Sequence, residues 1–187
     1  MNKSLLRMLV LLPIGLVLLA LTGSCKDNDN NWDSYKEWRE ANTDFYNEQK
    51  FAIEPDGQAR YQTLTPQWDN TASILVRWLN DRAKTADNLS PLLTSTVAVK
   101  YRGGFYTGVG FDSSYLATDS LFVTRPGDVI SGWTIALLNM KVGDKTQIVV
   151  PYALGYGTSG SGTSIPPFST LVFDIELVDI LDYEKRP

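Results

Sequence analysis

Between Thr71 and Tyr183 the sequence supplies a single short helix and a surplus of strands. That imbalance restricts the fold more than any other feature. The helix is read from Thr134-Ile135-Ala136-Leu137-Leu138-Asn139-Met140, opened by Trp133 and preceded by a Pro126-Gly127 turn and the stretch V-I-S-G-W at Val129–Trp133. Gly143 suits a left-handed stop near Lys141–Asp144. Around it lie apolar or alternating runs: Ile74–Leu79, Val97–Arg102, Leu121–Thr124, Lys145–Val150 and Leu171–Ile180. Gly103-Gly104 is expected to break the second run. The residues from Gly104 to Gly110 read as a hairpin tip, and Asn80–Ser90 as a polar loop. One short helix against four or five mostly antiparallel strands makes an α+β half-barrel. Trp133 then has two available jobs, filling a core or flooring a pocket.

The chemistry open to such a chain is limited by what it lacks. None of its 187 residues is a histidine. This excludes His-based acid–base catalysis, Ser-His-Asp and Cys-His nucleophile systems, and the usual zinc ligand sets. No metal and no cofactor is expected. Cys25 is the one cysteine, so no intrachain disulfide can form. The net charge is −4, and no basic stripe offsets it, which argues against a nucleic-acid partner. Gly155-Tyr156-Gly157-Thr158-Ser159-Gly160 is formally G-x-G-x-x-G. Ser/Gly/Pro-rich sequence follows it instead of a helix, so a dinucleotide site fails on context.

Residues 1–24 read as a signal peptide: Lys3 and Arg7 at the start, then an apolar run from Met8 to Leu21. That run is shorter than the roughly 20 residues a membrane span needs. Leu21-Thr22-Gly23-Ser24-Cys25 resembles a bacterial lipobox, with leucine one step further from the cysteine than usual. The resemblance implies lipidation at Cys25 and a membrane anchor, hence a cell-envelope location at the outer membrane, on its periplasmic or surface face. Residues 25–31 are polar and read as a tether. Their lysine-then-acidic start also resembles export signals of some Bacteroidetes lipoproteins.

Residues 32–70 form a helix and linker. Trp32, Tyr35, Trp38, Asn42, Phe45 and Tyr46 recur at helical steps through Lys50. Such a stripe is a packing face or, alternatively, a dimer or partner contact. Phe51–Asn70, with a Pro55-Asp56-Gly57 turn and Pro66, is expected to be irregular.

Residues 71–183 carry a more specific pattern. V-x-V-x-Y-x-G at Val97–Gly103, F-D-S-S at Phe111–Ser114, V-I-S-G-W, K-V-G-D-K at Lys141–Lys145, Tyr156-Gly157 and I-P-P-F-S-T-L-V-F-D-I-E-L at Ile165–Leu177 occur in one order. In that order and spacing the chain resembles the FKBP-type peptidyl-prolyl cis-trans isomerases. The resemblance implies a twisted antiparallel sheet wrapped around one short helix, and a folding assistant acting on proline-containing or unfolded polypeptides. It further implies a pocket formed by Tyr101, Phe111, Val129, Ile130, Trp133 and Phe173, with Trp133 as the floor. Tyr156 and the Ile130 N–H match donors to substrate carbonyls, Asp112 a carboxylate at the wall, and Ile165 an apolar residue on an overhanging loop. Leu121 and Val123 fall, by strand count, where well-known members carry phenylalanines, which would make one wall shallow. Asp128 replaces the usual glutamate, and Thr158–Ser164 replaces a more hydrophobic loop. Macrolide binding of the FK506 or rapamycin type is implied too, weakened by the shallow wall. The same departures leave open a non-catalytic module that only binds its clients.

Overall fold

The computed structural model describes residues 30–184. The signal peptide, Cys25 and the tether up to Asp29 lie outside the described residues. Among those described, no helix is long and apolar enough to cross a membrane.

Seven strands make one antiparallel sheet: β1 (Gln62–Leu64), β2 (Ile74–Trp78), β3 (Thr96–Phe105), β4 (Gly110–Ser113), β5 (Phe122–Thr124), β6 (Lys145–Val150) and β7 (Leu171–Asp182). Their order is β1-β2-β6-β7-β3-β4, with β5 paired to the other part of β3. Three α-helices among the described residues accompany them: α1 (Asn30–Ser34), α2 (Lys36–Phe51) and α3 (Ser131–Asn139).

Strand periodicity divides the apolar residues between two layers. Ile74 and Val76, Ile148 and Val150, and Leu171, Phe173, Ile175 and Leu177 face the concave side, where Trp133, Ile135, Ala136 and Leu137 of α3 complete the main core. The intervening Leu75, Val149 and Val172 face the convex side with Tyr61, and there meet Phe45 and Tyr46 of α2. The helical stripe expected at Trp32–Lys50 is therefore a packing face against its own domain. Backbone hydrogen bonding runs on through Tyr35, with Tyr35 N–H donating to Asn31 O and Arg39 N–H to Tyr35 O.

Polar contacts fix α2 in register. Asn42 is fully buried, accepting from Thr170 N–H at 2.7 Å through Oδ1 while its carbonyl accepts from Thr170 Oγ1 at 3.0 Å. Trp38 Nε1 donates to Ser169 Oγ at 3.3 Å, and the Trp38 ring packs edge-on against Phe105. Tyr46 donates its hydroxyl to Ser73 O at 3.1 Å.

Several local expectations are corrected. Gly103-Gly104 does not break β3, which continues to Phe105 and pairs with β7 along its whole length. Gly103 is needed because a Cβ there would lie 2.7 Å from the Phe173 ring and 2.9 Å from that of Phe111. The linker is not wholly irregular, since β1 forms within it and pairs with β2. Helix α3 stops at Asn139, and Gly143, at φ +89°, serves the turn that closes with Asp144 N–H donating to Lys141 O.

Asp144 is fully buried beside that turn. It accepts from Thr85 Oγ1 at 2.5 Å and Lys141 N–H at 2.8 Å, and pairs with Arg82 at 3.1 Å. Burial alone would raise its carboxyl. The hydrogen bonds and the guanidinium outweigh it and hold the group below its ordinary value.

Candidate active site

A cavity of about 700 Å³ opens on the concave side at the start of α3. Its position follows from one glycine. A Cβ on Gly132 would lie 2.4 Å from Val150 Cγ1, so only glycine lets the first turn of α3 rest on β6. The next residue, Trp133, is thereby lowered into the sheet and is only 4% exposed.

Aromatic rings stand edge-on around it. Trp133 meets Tyr101 at 5.0 Å and 85°, and Phe173 at 5.3 Å and 90°. Phe111 in turn meets Phe173 at 5.6 Å and 89°. These T-shaped contacts hold the rings without stacking them shut. The indole Nε1–H of Trp133 is buried and meets no acceptor among the described residues.

The polar groups are few and differ in availability. Tyr101 donates its hydroxyl to Asp112 Oδ2 at 2.6 Å, while Asp112 Oδ1 accepts from Ser113 N–H at 2.8 Å. Burial, then the Asp112 carboxylate, pushes the Tyr101 phenol well above its ordinary range, so it stays a donor at neutral pH. Tyr156 is raised also, first by burial and then by Asp112. The Tyr156 hydroxyl has no hydrogen-bond partner among the described residues, and neither has the Ile130 N–H. Ile130 instead caps α3 with its carbonyl, accepting from Trp133 N–H at 2.9 Å. The Ile130 N–H and the Tyr156 hydroxyl are therefore uncommitted on residues that line the cavity, whereas the Tyr101 hydroxyl is spoken for.

The structure brings Tyr101, Phe111, Asp112, Asp128, Val129, Ile130, Trp133, Tyr156, Ile165 and Phe173 together around this one cavity. It does not bring Leu121 or Val123. The wall there is Phe122, whose ring lies 5.6 Å from Tyr101 and 6.3 Å from Trp133. The expected shallow wall is thus corrected by pairing. Phe122 is opposite Val99, which faces the concave core, and Val123 is opposite Ala98 on the other side. Directly paired residues share a face, so a strand count wrong by one exchanges wall and outside. Val123 is 51% exposed.

Ser161, Gly162 and Ser164 also line the cavity and were not singled out individually by the sequence. Their loop is closed by Ser161 and Ile165 exchanging backbone hydrogen bonds at 2.8 and 3.1 Å. A Cβ on Gly160, at φ +69°, would lie 2.2 Å from Ile165 O, so the tight return requires glycine. Among the described residues no group of three His, Cys, Asp or Glu side chains is placed to hold a metal ion.

Comparison with known proteins agrees with this geometry. Residues 89–178 match the family described as FKBP-type peptidyl-prolyl cis-trans isomerase. A crystal structure of a peptidyl-prolyl cis-trans isomerase from Pseudomonas syringae pv. tomato superposes with a TM-score of 0.62 at 32% identity, covering 78% of this chain and 95% of that one. The chain belongs to the FKBP family. The FKBP-type 22 kDa peptidyl-prolyl cis-trans isomerase of Escherichia coli is 46% identical over 91 residues, 49% of this chain and 44% of that protein. FK506-binding protein 4 of Dictyostelium discoideum is 47% identical over 89 residues, 48% of this chain and 24% of that protein. The chain spans about half or less of the length of the curated relatives it matches. The FKBP match begins at residue 89, so α1, α2, β1 and β2 lie outside it.

Proposed function

We propose that this chain is a peptidyl-prolyl cis-trans isomerase that assists protein folding by holding a twisted Xaa-Pro amide in the aromatic cavity. The observation that carries the reading is a Trp133-floored cup with two uncommitted donors, Ile130 N–H and Tyr156 hydroxyl. Rotation about an Xaa-Pro bond breaks no covalent bond. Its barrier is amide resonance, about 18–20 kcal/mol, and exchange without a catalyst takes tens to hundreds of seconds. Twisting removes conjugation and makes the amide less dipolar, so an apolar cup disfavours the twisted form less than the planar one. Fixed donors that meet the twisted carbonyl add stabilisation without reorganising. Each 1.36 kcal/mol removed from the barrier multiplies the rate by about ten. The proline ring would rest on Trp133, flanked by Tyr101, Phe111, Phe122 and Phe173. Asp112 holds the Tyr101 ring in place through its hydroxyl.

With Phe122 in the wall, the shallow cup that favoured a binding-only module is absent. The same full wall, and the name of the Dictyostelium relative, support binding of FK506-type macrolides in this cavity. The leader and Cys25 support placement in a bacterial cell envelope by a lipid anchor. Metabolic labelling with a palmitate analogue, lost in Cys25→Ser, checks that part.

Isomerisation of a short Xaa-Pro peptide tests the activity. The purified protein is expected to accelerate cis-to-trans exchange, and Trp133→Leu combined with Tyr156→Phe to abolish most of it. A folded protein that gives no acceleration would sink the proposal.

A further inference from the structure

A second, smaller cleft of about 130 Å³ lies beside the first, and the residues that join the two are adjacent in the chain. Ile130 lines the large cavity and Ser131 the small one. On another side, Tyr156 lines the large cavity and Leu154 the small one, with Gly155 between them. Two independent backbone junctions therefore hold the openings side by side. Consecutive Cα atoms are about 3.8 Å apart, so these lining residues of the two openings have Cα atoms within about 8 Å of each other. The Ile130 N–H, uncommitted, sits at one of these junctions.

The outer wall of the small cleft is Trp68, 62% exposed. Its floor includes Ala72 and Ile135, both buried, and Asp69 stands next to the indole. Asp69 accepts from Thr71 N–H at 2.9 Å and Thr71 Oγ1 at 2.7 Å, both at Oδ1, and the residue is exposed. A large exposed indole beside the apolar Ala72, Ile135 and Leu154 is the kind of side chain that anchors interfaces. Trp68 lies in the segment before β2, outside the stretch that matches the FKBP family.

We infer that the Trp68 cleft is an accessory subsite for the client polypeptide, taking an apolar side chain two to four residues from the proline held over Trp133. The occupant is the client itself because neighbouring residues of the chain, Ile130 with Ser131 and Tyr156 with Leu154, line the cleft and the cavity that would hold its proline. A basic residue next to that apolar one would find Asp69. The consequence is selection by length: short proline peptides fill only the large cavity, and longer ones reach both. The inference rests on the proline-binding reading of the large cavity.

The test compares a tetrapeptide containing Xaa-Pro with a fluorescent dodecapeptide that carries Phe three residues on either side of its proline. The variant is Trp68→Ala in the full chain, an exposed position whose loss leaves the core intact. Isomerisation of the tetrapeptide should stay within about twofold of the parent protein. Polarisation-measured affinity for the dodecapeptide, and kcat/KM on it, should fall roughly five- to tenfold, as for loss of one aromatic contact. Affinity lost with no isomerisation in either protein would keep the subsite and remove the enzyme. Equal losses on both peptides, or no loss on either, would overturn the subsite.

Discussion

The two faces of this sheet carry a helix each, and the helices are built oppositely. On the concave face α3 is nine residues long and buried almost all round, yet its first turn borders a cavity of about 700 Å³. On the convex face α2 is sixteen residues long and mostly solvated, and it is held by a narrow seam of Trp38, Asn42, Phe45 and Tyr46. The difference lies in what each seam leaves unpaired. The convex seam satisfies its buried polar groups: Asn42, Thr170 and Trp38 Nε1 all have partners. The concave side leaves Trp133 Nε1, Ile130 N–H and the Tyr156 hydroxyl without any. Unsatisfied donors cost free energy, about 1–3 kcal/mol for each one that is buried. One face is therefore finished structure, and the other is kept ready for a ligand.

The sharpest way to break this contrast is Trp133→Leu, which keeps an apolar side chain under α3 but removes the flat floor. A fall in kcat/KM on an Xaa-Pro peptide of about 100-fold is expected, with cooperative unfolding retained. An active Trp133→Leu protein would mean that the floor is only core. Asn42→Ala is the matching change on the convex face. It strands the buried Thr170 N–H, while the Thr170 hydroxyl keeps the backbone carbonyl of residue 42, so a loss of about 1–3 kcal/mol in denaturant unfolding is expected. Activity per folded molecule should change less than threefold, and a larger drop would show that the faces are coupled. Within the concave wall, Phe122→Ala should lower kcat/KM roughly tenfold and Val123→Ala less than twofold. The reverse ranking would restore the other register of β5. Smallest of all, Arg39→Ala removes a guanidinium 3.4 Å over the exposed Trp32 ring, with about 0.5–1 kcal/mol expected in unfolding and no change in activity.

Much of the architecture could be read from period and punctuation. Alternation at Val97–Arg102 marks β3, and the apolar runs at Lys145–Val150 and Leu171–Ile180 mark β6 and β7. The stripe Trp32–Tyr46 shows its spacing plainly, but spacing cannot say whether such a face meets its own sheet or another molecule. What settles it is Asn42, a polar residue inside an apolar stripe whose acceptor is filled by Thr170, 128 residues away. Of the candidate site, the residues on firm elements line one cavity. The error at Leu121 and Val123 arose on a three-residue strand, where alternation is too short to fix parity and only pairing with β3 decides it. Gly103 was misread for a related reason. A glycine in a strand can mark a stop or a clearance, and only the Phe111 and Phe173 rings on either side tell which.

Strand β7 is the last of the described strands in sequence and yet lies in the middle of the sheet, between β6 and β3. Its twelve residues supply Leu171, Phe173, Ile175 and Leu177 to the main core. β1 with β2 and β3 with β4 can pair early, but the β1-β2-β6 part of the sheet is hydrogen-bonded to the β3-β4 part only through β7. The sheet is thus topologically delayed: its closure waits for β7, and the contacts that close it are distant in sequence, a combination that slows folding.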